Sequence, residues 1–266
     1  MIELINLPTG KPHISFSEHT DWVKCSWRHK LKHVKKINLD KPSPVMSFGT
    51  AVHASCEDFV KTRKMNVDIA HAKIDELWEM NKAVLGFDIS KIDEWKDEAS
   101  AILADVPTFM DENFPEWQPL ASEFQLYESI TGGQHAFKGF IDAVISAPKK
   151  SKQLIWLIDW KTTLFWSSEK KRDPVLQRQL VFYKHFWQQK HPDVLLKNIR
   201  CAFVLLKRNC KPGKHCEIVT VSVGDTSIAK SLKVIDNMIA SVTRGTAIKN
   251  RSSCKYCEFK DTEHCT

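Results

Sequence analysis

Two apolar segments set the frame: Ala136-Phe137-Lys138-Gly139-Phe140-Ile141-Asp142-Ala143-Val144-Ile145, and Gln153-Leu154-Ile155-Trp156-Leu157-Ile158-Asp159-Trp160-Lys161. The first alternates as a strand does. The second is apolar almost throughout until Asp159, the mark of a central strand buried on both faces. Before them, Leu120 to Tyr127 also alternates, and Thr131-Gly132-Gly133 supplies a hairpin turn between the two alternating strands. Beyond them, Val175 to Gln189 reads as a helix. Arg200 to Leu206 and Glu217 to Val223 read as strands around a polar, basic loop holding Asn209 and Gly213, and Asp225 caps a helix to about Val242. Upstream the period is helical. Ser15-Phe16-Ser17-Glu18 forms a capping box opening a helix to about Val34, and Asn38 to Pro44 is a loop. Further helices are expected at Phe48–Lys64, Ile69–Met80 and Ile92–Met110, the last ending before Phe114-Pro115. The result is an α/β core carrying an N-terminal helical region, divided as 1–115 helical, 116–245 core and 246–266 cysteine tail, all one integrated domain.

The composition excludes more than it selects. A chain of 266 residues is long enough for a sizeable core, and no apolar run approaches a membrane span, so no membrane partner is expected. MIELINLPTG lacks the basic and apolar regions of a signal peptide, which points to a cytoplasmic, reducing setting, with nucleoid association or a viral origin left open. With 9 glycines there is no GxGxxG and no GxxxxGK[ST], and HExxH and GxSxG are missing too. Nucleotide-driven motors, dinucleotide oxidoreductases, zincins and serine hydrolases are therefore disfavoured. The net charge of +7 favours a polyanionic partner. Eight cysteines in a reducing setting read as thiols or metal ligands, not as disulfides.

The chemistry concentrates at the strand ends. Asp142 and Asp159 sit late in apolar strands, where an unpaired carboxylate is costly; brought together, they can hold a hard divalent cation. Asp159 and Lys161 are two apart and share a face, so the lysine can orient a water or offset phosphate charge. Trp160 points away, leaving its carbonyl free as a ligand. An isolated DxK is more often a surface ion pair, but the surroundings reverse that reading. Gly49-Thr50-Ala51-Val52-His53 opens a helix, and Gln179 and Tyr183 lie four apart on one face of the helix after the DxK strand. Glu123, in the first core strand, reads equally as a solvated residue or as a group approaching the metal. Glu57, one turn after His53, reads as a group orienting that histidine.

Together, GTAVH, GFID, DWK and QLVFY resemble the RecB-type branch of the PD-(D/E)xK nuclease superfamily, in matching order from about Ser15 to the C-terminus. The resemblance implies a restriction-endonuclease-like mixed sheet flanked by helices. It implies His53, Asp142, Asp159 and the Trp160 carbonyl as ligands of Mg2+ or Mn2+, and Lys161 as the catalytic lysine. Gln179 and Tyr183 would position DNA or brace the site, and a glutamate in the first core strand, here Glu123, often joins the metal in this family.

Cys254-Lys255-Tyr256-Cys257 followed by Cys265 puts three thiols in a terminal tail, which rarely holds structure unless tied down. Cys25, in the first helix, is the candidate fourth ligand. A lone N-terminal cysteine with a CxxC-x7-C tail resembles the iron–sulfur subset of these nucleases, AddB-type and CRISPR-associated, in which a 4Fe–4S cluster clasps the two ends of the domain. Structural zinc on Cys254, Cys257, Cys265 and His264 is the alternative. Cys56, Cys201, Cys210 and Cys216 read as ordinary thiols.

The expectation is a metal-dependent DNA exonuclease acting on ends or single strands, in recombination, repair or replication. A catalytically silent nucleic-acid-binding module, or an accessory nuclease subunit of a helicase complex, is the alternative. With no Walker sequence, unwinding would come from a separate helicase or recombination protein. Lys30, Lys32, His33, Lys35 and Lys36, and likewise Lys170, Lys171 and Arg172, are basic runs that suit phosphate contact, and Trp166 is a candidate for base stacking.

Overall fold

The computed structural model describes residues 4–130, 133–149 and 152–265. Thr131 and Gly132 of the expected hairpin turn lie outside the described residues; Gly133 has φ +76°.

A short strand β1 (His13–Ser15) leads into α1 (Phe16–Lys24) and α2 (Ser26–His29), followed by a wide turn over Lys30–Val34. Three longer helices follow: α3 (Pro44–Thr62), α4 (Val67–Asn81) and α5 (Ile92–Asn113). The core then runs β2 (Gln118–Ser129), β3 (Ala136–Lys149), β4 (Lys152–Thr163), α6 (Ser168–Lys171), α7 (Pro174–Lys190), β5 (Ile199–Lys207), β6 (Cys216–Val221) and α8 (Asp225–Thr243). A 3₁₀ turn over Arg251–Tyr256 carries the tail.

All six strands form one mixed sheet. β3 pairs antiparallel with β2 along one edge; its other edge is shared by β1, parallel at 136–138, and β4, antiparallel at 143–149. β4 is parallel to β5, and β5 antiparallel to β6. β4 is thus central, as its apolar run predicts. Helices α3, α4 and α5 cover one face, where Phe48, Val52, Trp78, Ile102 and Trp160 are buried. On the other face α7 and α8 cover Phe137, Leu157 and Phe203 with Phe182, Phe186 and Ile235. Each such side chain contributes on the order of 1.5–3 kcal/mol on burial. Among the described residues no helix is long and apolar enough to cross a membrane.

Three local expectations need correction. The helix from Ser15 to Val34 is not continuous: Cys25 adopts an extended conformation (φ −162°, ψ 109°) that separates α1 from α2, so Cys25 lies at a break and not inside a helix. Its amide still bonds to the Asp21 carbonyl, but its thiol is turned towards the tail, 3.7 Å from the Ile248 carbonyl. Only half of the capping box forms: Ser15 Oγ accepts from the Glu18 amide, but the Glu18 carboxylate turns inward to His29 Nε2 at 3.2 Å. The final long helix is capped by Gly224, with Asp225 its first residue.

Candidate active site

The β3–β4 ladder ends at Ala143–Ile158. One step further the Asp142 carboxylate bridges the strands: the Trp160 amide donates to its Oδ2 at 2.7 Å. Asp159 and Lys161 follow on β4. Lys161 Nζ lies 2.6 Å from Asp159 Oδ2, at ion-pair distance though off the directions a hydrogen bond requires. Helix α7 brings the next two residues on one face, four apart. The Gln179 side-chain amide donates to Asp159 Oδ1 at 2.6 Å and to the Tyr183 hydroxyl at 2.9 Å. Helix α3 supplies His53, with Nδ1 3.9 Å from Asp142 Oδ2.

The motif glycines explain how closely these elements meet. A Cβ on Gly49 would come within 2.6 Å of Thr162 Oγ1, so α3 rides directly on β4 one turn before His53. A Cβ on Gly139 would stand 2.9 Å from the Phe137 ring and 3.1 Å from that of Tyr183. Thr162, the partner of Gly49, went unnoticed in the sequence; a small hydroxyl residue immediately after DWK was the available signal.

The electrostatics follow from burying like charges. Asp159 is 2% exposed. Burial and the Asp159 charge hold the Asp142 carboxyl well above the usual carboxylate range; burial also raises Asp159, and the pull of Lys161 offsets only part of this. Burial alone would lower Lys161, but Asp159 and Asp142 more than compensate, so it stays firmly cationic. Burial, with Lys161 nearby, drives His53 down to about 4 and keeps its ring neutral. Burial and Asp159 push the Tyr183 hydroxyl well up. The His53 side chain is partly exposed, yet its Nε2 is sealed from solvent without a hydrogen-bond partner, and so is Gln179 Oε1.

Glu123 is exposed. It stands opposite Asp142 in the β2–β3 register, between the pairs Ser122–Ala143 and Phe124–Ile141, and its charge is felt at Asp142. Its backbone is left-handed (φ +48°), a strained conformation for a non-glycine residue. Glu57 does not orient His53: its carboxylate takes the Lys61 ammonium at 2.6 Å, one turn on, and the ring faces Asp142 instead. Trp166 is no stacking platform. It is 4% exposed and packs edge-on against Phe203, with ring centroids 5.4 Å apart. Much of the first basic run is taken up internally: Lys32 by Asp40, His33 by Asp21, Lys30 by the Gly245 carbonyl and Lys36 by that of Thr9.

The tail docks on the α1–α2 break. Asn250 Nδ2 donates to the Lys24 carbonyl at 2.8 Å, Trp27 Nε1 to that of His264 at 3.1 Å, and Arg28 Nε to Glu258 at 3.0 Å. Cys25, Cys254, Cys257 and Cys265 all line one cavity of about 200 Å³ there; His264 does not. All eight cysteines are free thiols. Cys56 and Cys201 are core residues, and burial pushes the Cys201 thiol up to about 12. Among the described residues, no three His, Cys, Asp or Glu side chains converge closely enough to form a ready metal cage, either here or at the strand ends.

Two aspartates and a lysine thus meet at the ends of β3 and β4, with Gln179 and Tyr183 of α7 against them. Residues 13–262 match the model of the PD-(D/E)XK nuclease superfamily, and the chain belongs to that superfamily. Its fold is similar to the crystal structure of a protein from Eubacterium rectale named as a candidate exonuclease, at 13% identity and a TM-score of 0.57, covering 93% of this chain and 88% of that one. A second solved structure, SSO0001, matches at 15% identity and a TM-score of 0.37, covering 91% of this chain and 93% of the other. No curated protein matches the sequence.

Proposed function

We propose that the protein is a divalent-metal-dependent deoxyribonuclease acting on DNA ends or single strands, with Asp142, Asp159 and Lys161 as its catalytic centre. One observation carries this reading: the buried Asp159 and the partly buried Asp142 share the strand ends with a cationic lysine, at a cost the fold alone does not repay. The donor set fits a hard dication. Oxygens come from Asp142 and Asp159, with the Trp160 carbonyl alongside; His53 is neutral with Nε2 unpartnered, and Glu123 stands opposite Asp142. A divalent cation there supplies positive charge for the scissile phosphate and lowers the pKa of water. The protein's own part is orientation. Gln179 fixes Asp159 through Oδ1, and Tyr183 fixes Gln179. Lys161, cationic throughout the neutral range, holds the attacking water and offsets charge developing on the phosphate.

The four cysteines that line the tail cavity are the ligand set of a 4Fe–4S cluster joining Cys25 to the tail. Thiols spaced around a cavity suit a cluster better than a single zinc ion, whose bonds of about 2.3 Å demand convergence on one point. The position of His264 outside the cavity lining disfavours the local zinc set. The cluster's role is structural: it closes the clasp.

End-labelled linear DNA and covalently closed circles, each incubated with magnesium or manganese, test the activity. Loss of label from linear DNA with circles spared supports the exonuclease reading. Nicking of circles replaces it with an endonuclease, and no cleavage of either leaves the silent binding module.

A further inference from the structure

We infer that Phe165 is a base-stacking platform for unpaired nucleotides at the mouth of the strand-end site, an inference that rests on the nuclease reading above. Immediately after β4 the chain turns sharply. Thr163 Oγ1 accepts from the Phe165 amide at 3.2 Å, its hydroxyl also lies 3.2 Å from the Phe165 carbonyl, and the Arg208 amide donates to the Thr163 carbonyl at 2.8 Å. The next ring, Trp166, is locked in the core against Phe203, and Phe203 lies 5.7 Å from Lys161 Nζ. The turn is therefore fixed on both sides of Phe165, within four residues of the lysine, and Phe165 itself is 71% exposed beside Leu164 at 53%.

The patch extends onto α3. Gly49 abuts Thr162, and the Arg208 guanidinium lies 5.8 Å from the Phe48 ring, so the first turn of α3 sits at the same end of β4. That turn presents Met46, 73% exposed. Three large apolar side chains thus stand in solvent on rigidly anchored backbone around a polar, ion-paired centre, an arrangement the core does not need. Cations lie on the adjoining segments. Arg208 is at the turn, Lys170 is exposed and sits 5.1 Å from the Trp166 ring centroid, and Arg172 is exposed on the segment that follows.

An apolar protein partner would not call for these neighbouring cations, and a duplex presents its bases stacked inside. Unpaired nucleotides present both a chain of phosphates and free base faces, which matches a fixed aromatic ring among cations. The substrate class is then single-stranded DNA or a splayed end, with a base lying on Phe165 as the phosphodiester reaches Lys161.

Fluorescence anisotropy without added divalent metal, using a labelled thymidine oligonucleotide and an abasic oligomer of equal length, tests this. Phe165→Ala is expected to weaken the thymidine oligonucleotide about tenfold, within the range for losing one base–aromatic stack, and to leave the abasic oligomer unchanged. Phe165→Tyr should restore binding, and an unchanged melting temperature in Phe165→Ala will separate stacking from folding. In turnover, KM for single strands should rise while kcat holds. Equal loss for both oligomers in Phe165→Ala, or no loss in that variant when the wild type binds and cuts DNA, overturns the stacking role alone. A wild-type protein that binds neither oligomer and cuts no DNA overturns the nuclease reading with it.

Discussion

At the strand ends, the charged residues are carried by β3 and β4 and braced by α3 and α7, all rooted in the two buried clusters on either face of the sheet. The tail presents the opposite case. Of its described residues from 246 on, only Phe259 is buried, and what holds it is a set of hydrogen bonds to Lys24, Ser26, Trp27 and Arg28. The first region has a scaffold that would stand without its ligand, and polar atoms that are uncomfortable without one. In the second the polar atoms are comfortable, but the scaffold is thin. Metal binding at the strand ends is therefore expected to relieve charge, and at the tail to supply stability.

Mutations can break that contrast. Asp159→Ala should lower cleavage of end-labelled DNA about a thousandfold or more while the melting temperature holds, because it removes transition-state stabilisation and no scaffold. Lys161→Ala should cost about 10²- to 10³-fold in kcat and still bind metal by calorimetry. Wild-type rates in either variant would remove that residue from the chemistry.

Cys25→Ser and Cys257→Ser should behave inversely. Anaerobically purified wild-type protein should be brown with iron by metal analysis; both variants should be colourless and melt at least about 4 °C lower, given roughly 2–4 °C per kcal/mol for a domain of this size. Zinc without iron, and a silent Cys25→Ser, would overturn the shared cluster.

A rigid scaffold at the strand ends is tested by packing. Gly49→Ala places a methyl against Thr162 Oγ1, and overpacking of this kind costs about 1–3 kcal/mol despite the better helix propensity of alanine. Adding Thr162→Ala should recover most of that loss in a denaturation double-mutant cycle. Failure to recover it would place the strain elsewhere.

The smallest effect concerns charge. Burial and Asp159 raise the Asp142 carboxyl in the folded state, so stability contributed by its protonated form is present in acid and lost as pH rises from the ordinary carboxylate range. Asp142→Asn should therefore melt about 2–4 °C above metal-free wild type near about pH 7, with the gap closing near about pH 4. A variant less stable at both would show that the carboxylate holds the fold.

The sequence carried the central features because they depend on local pattern. The apolar run of Leu154–Ile158 reads as a central strand, and Asp142, Asp159 and Lys161 stood out as charges at the ends of such runs. What it hid depended on distant partners. Cys25 interrupts a segment whose residues favour continuous helix, and the bonds that draw it out come from Ile248 and Asn250, over two hundred positions away. Glu18 looked like half of a capping box until His29 competed for its carboxylate. Trp166 and Phe165 are adjacent aromatics with nothing in composition to tell them apart; only the position of Phe203 decides which one is buried. Strand β1, three residues long, is too short to carry a period at all.

The bridge from Asp142 Oδ2 to the Trp160 amide bears on how the sheet breathes. Among the described residues no strand pairs with residues 139–142 on the edge of β3 that faces β4, so a side-chain carboxylate stands where a ladder carbonyl would be. The Trp160 amide proton then exchanges with solvent only as often as that carboxylate lets go. Its deuterium uptake reports on the carboxylate directly: slow while Asp142 remains on the amide, and quickened by any ligand that draws the oxygen away.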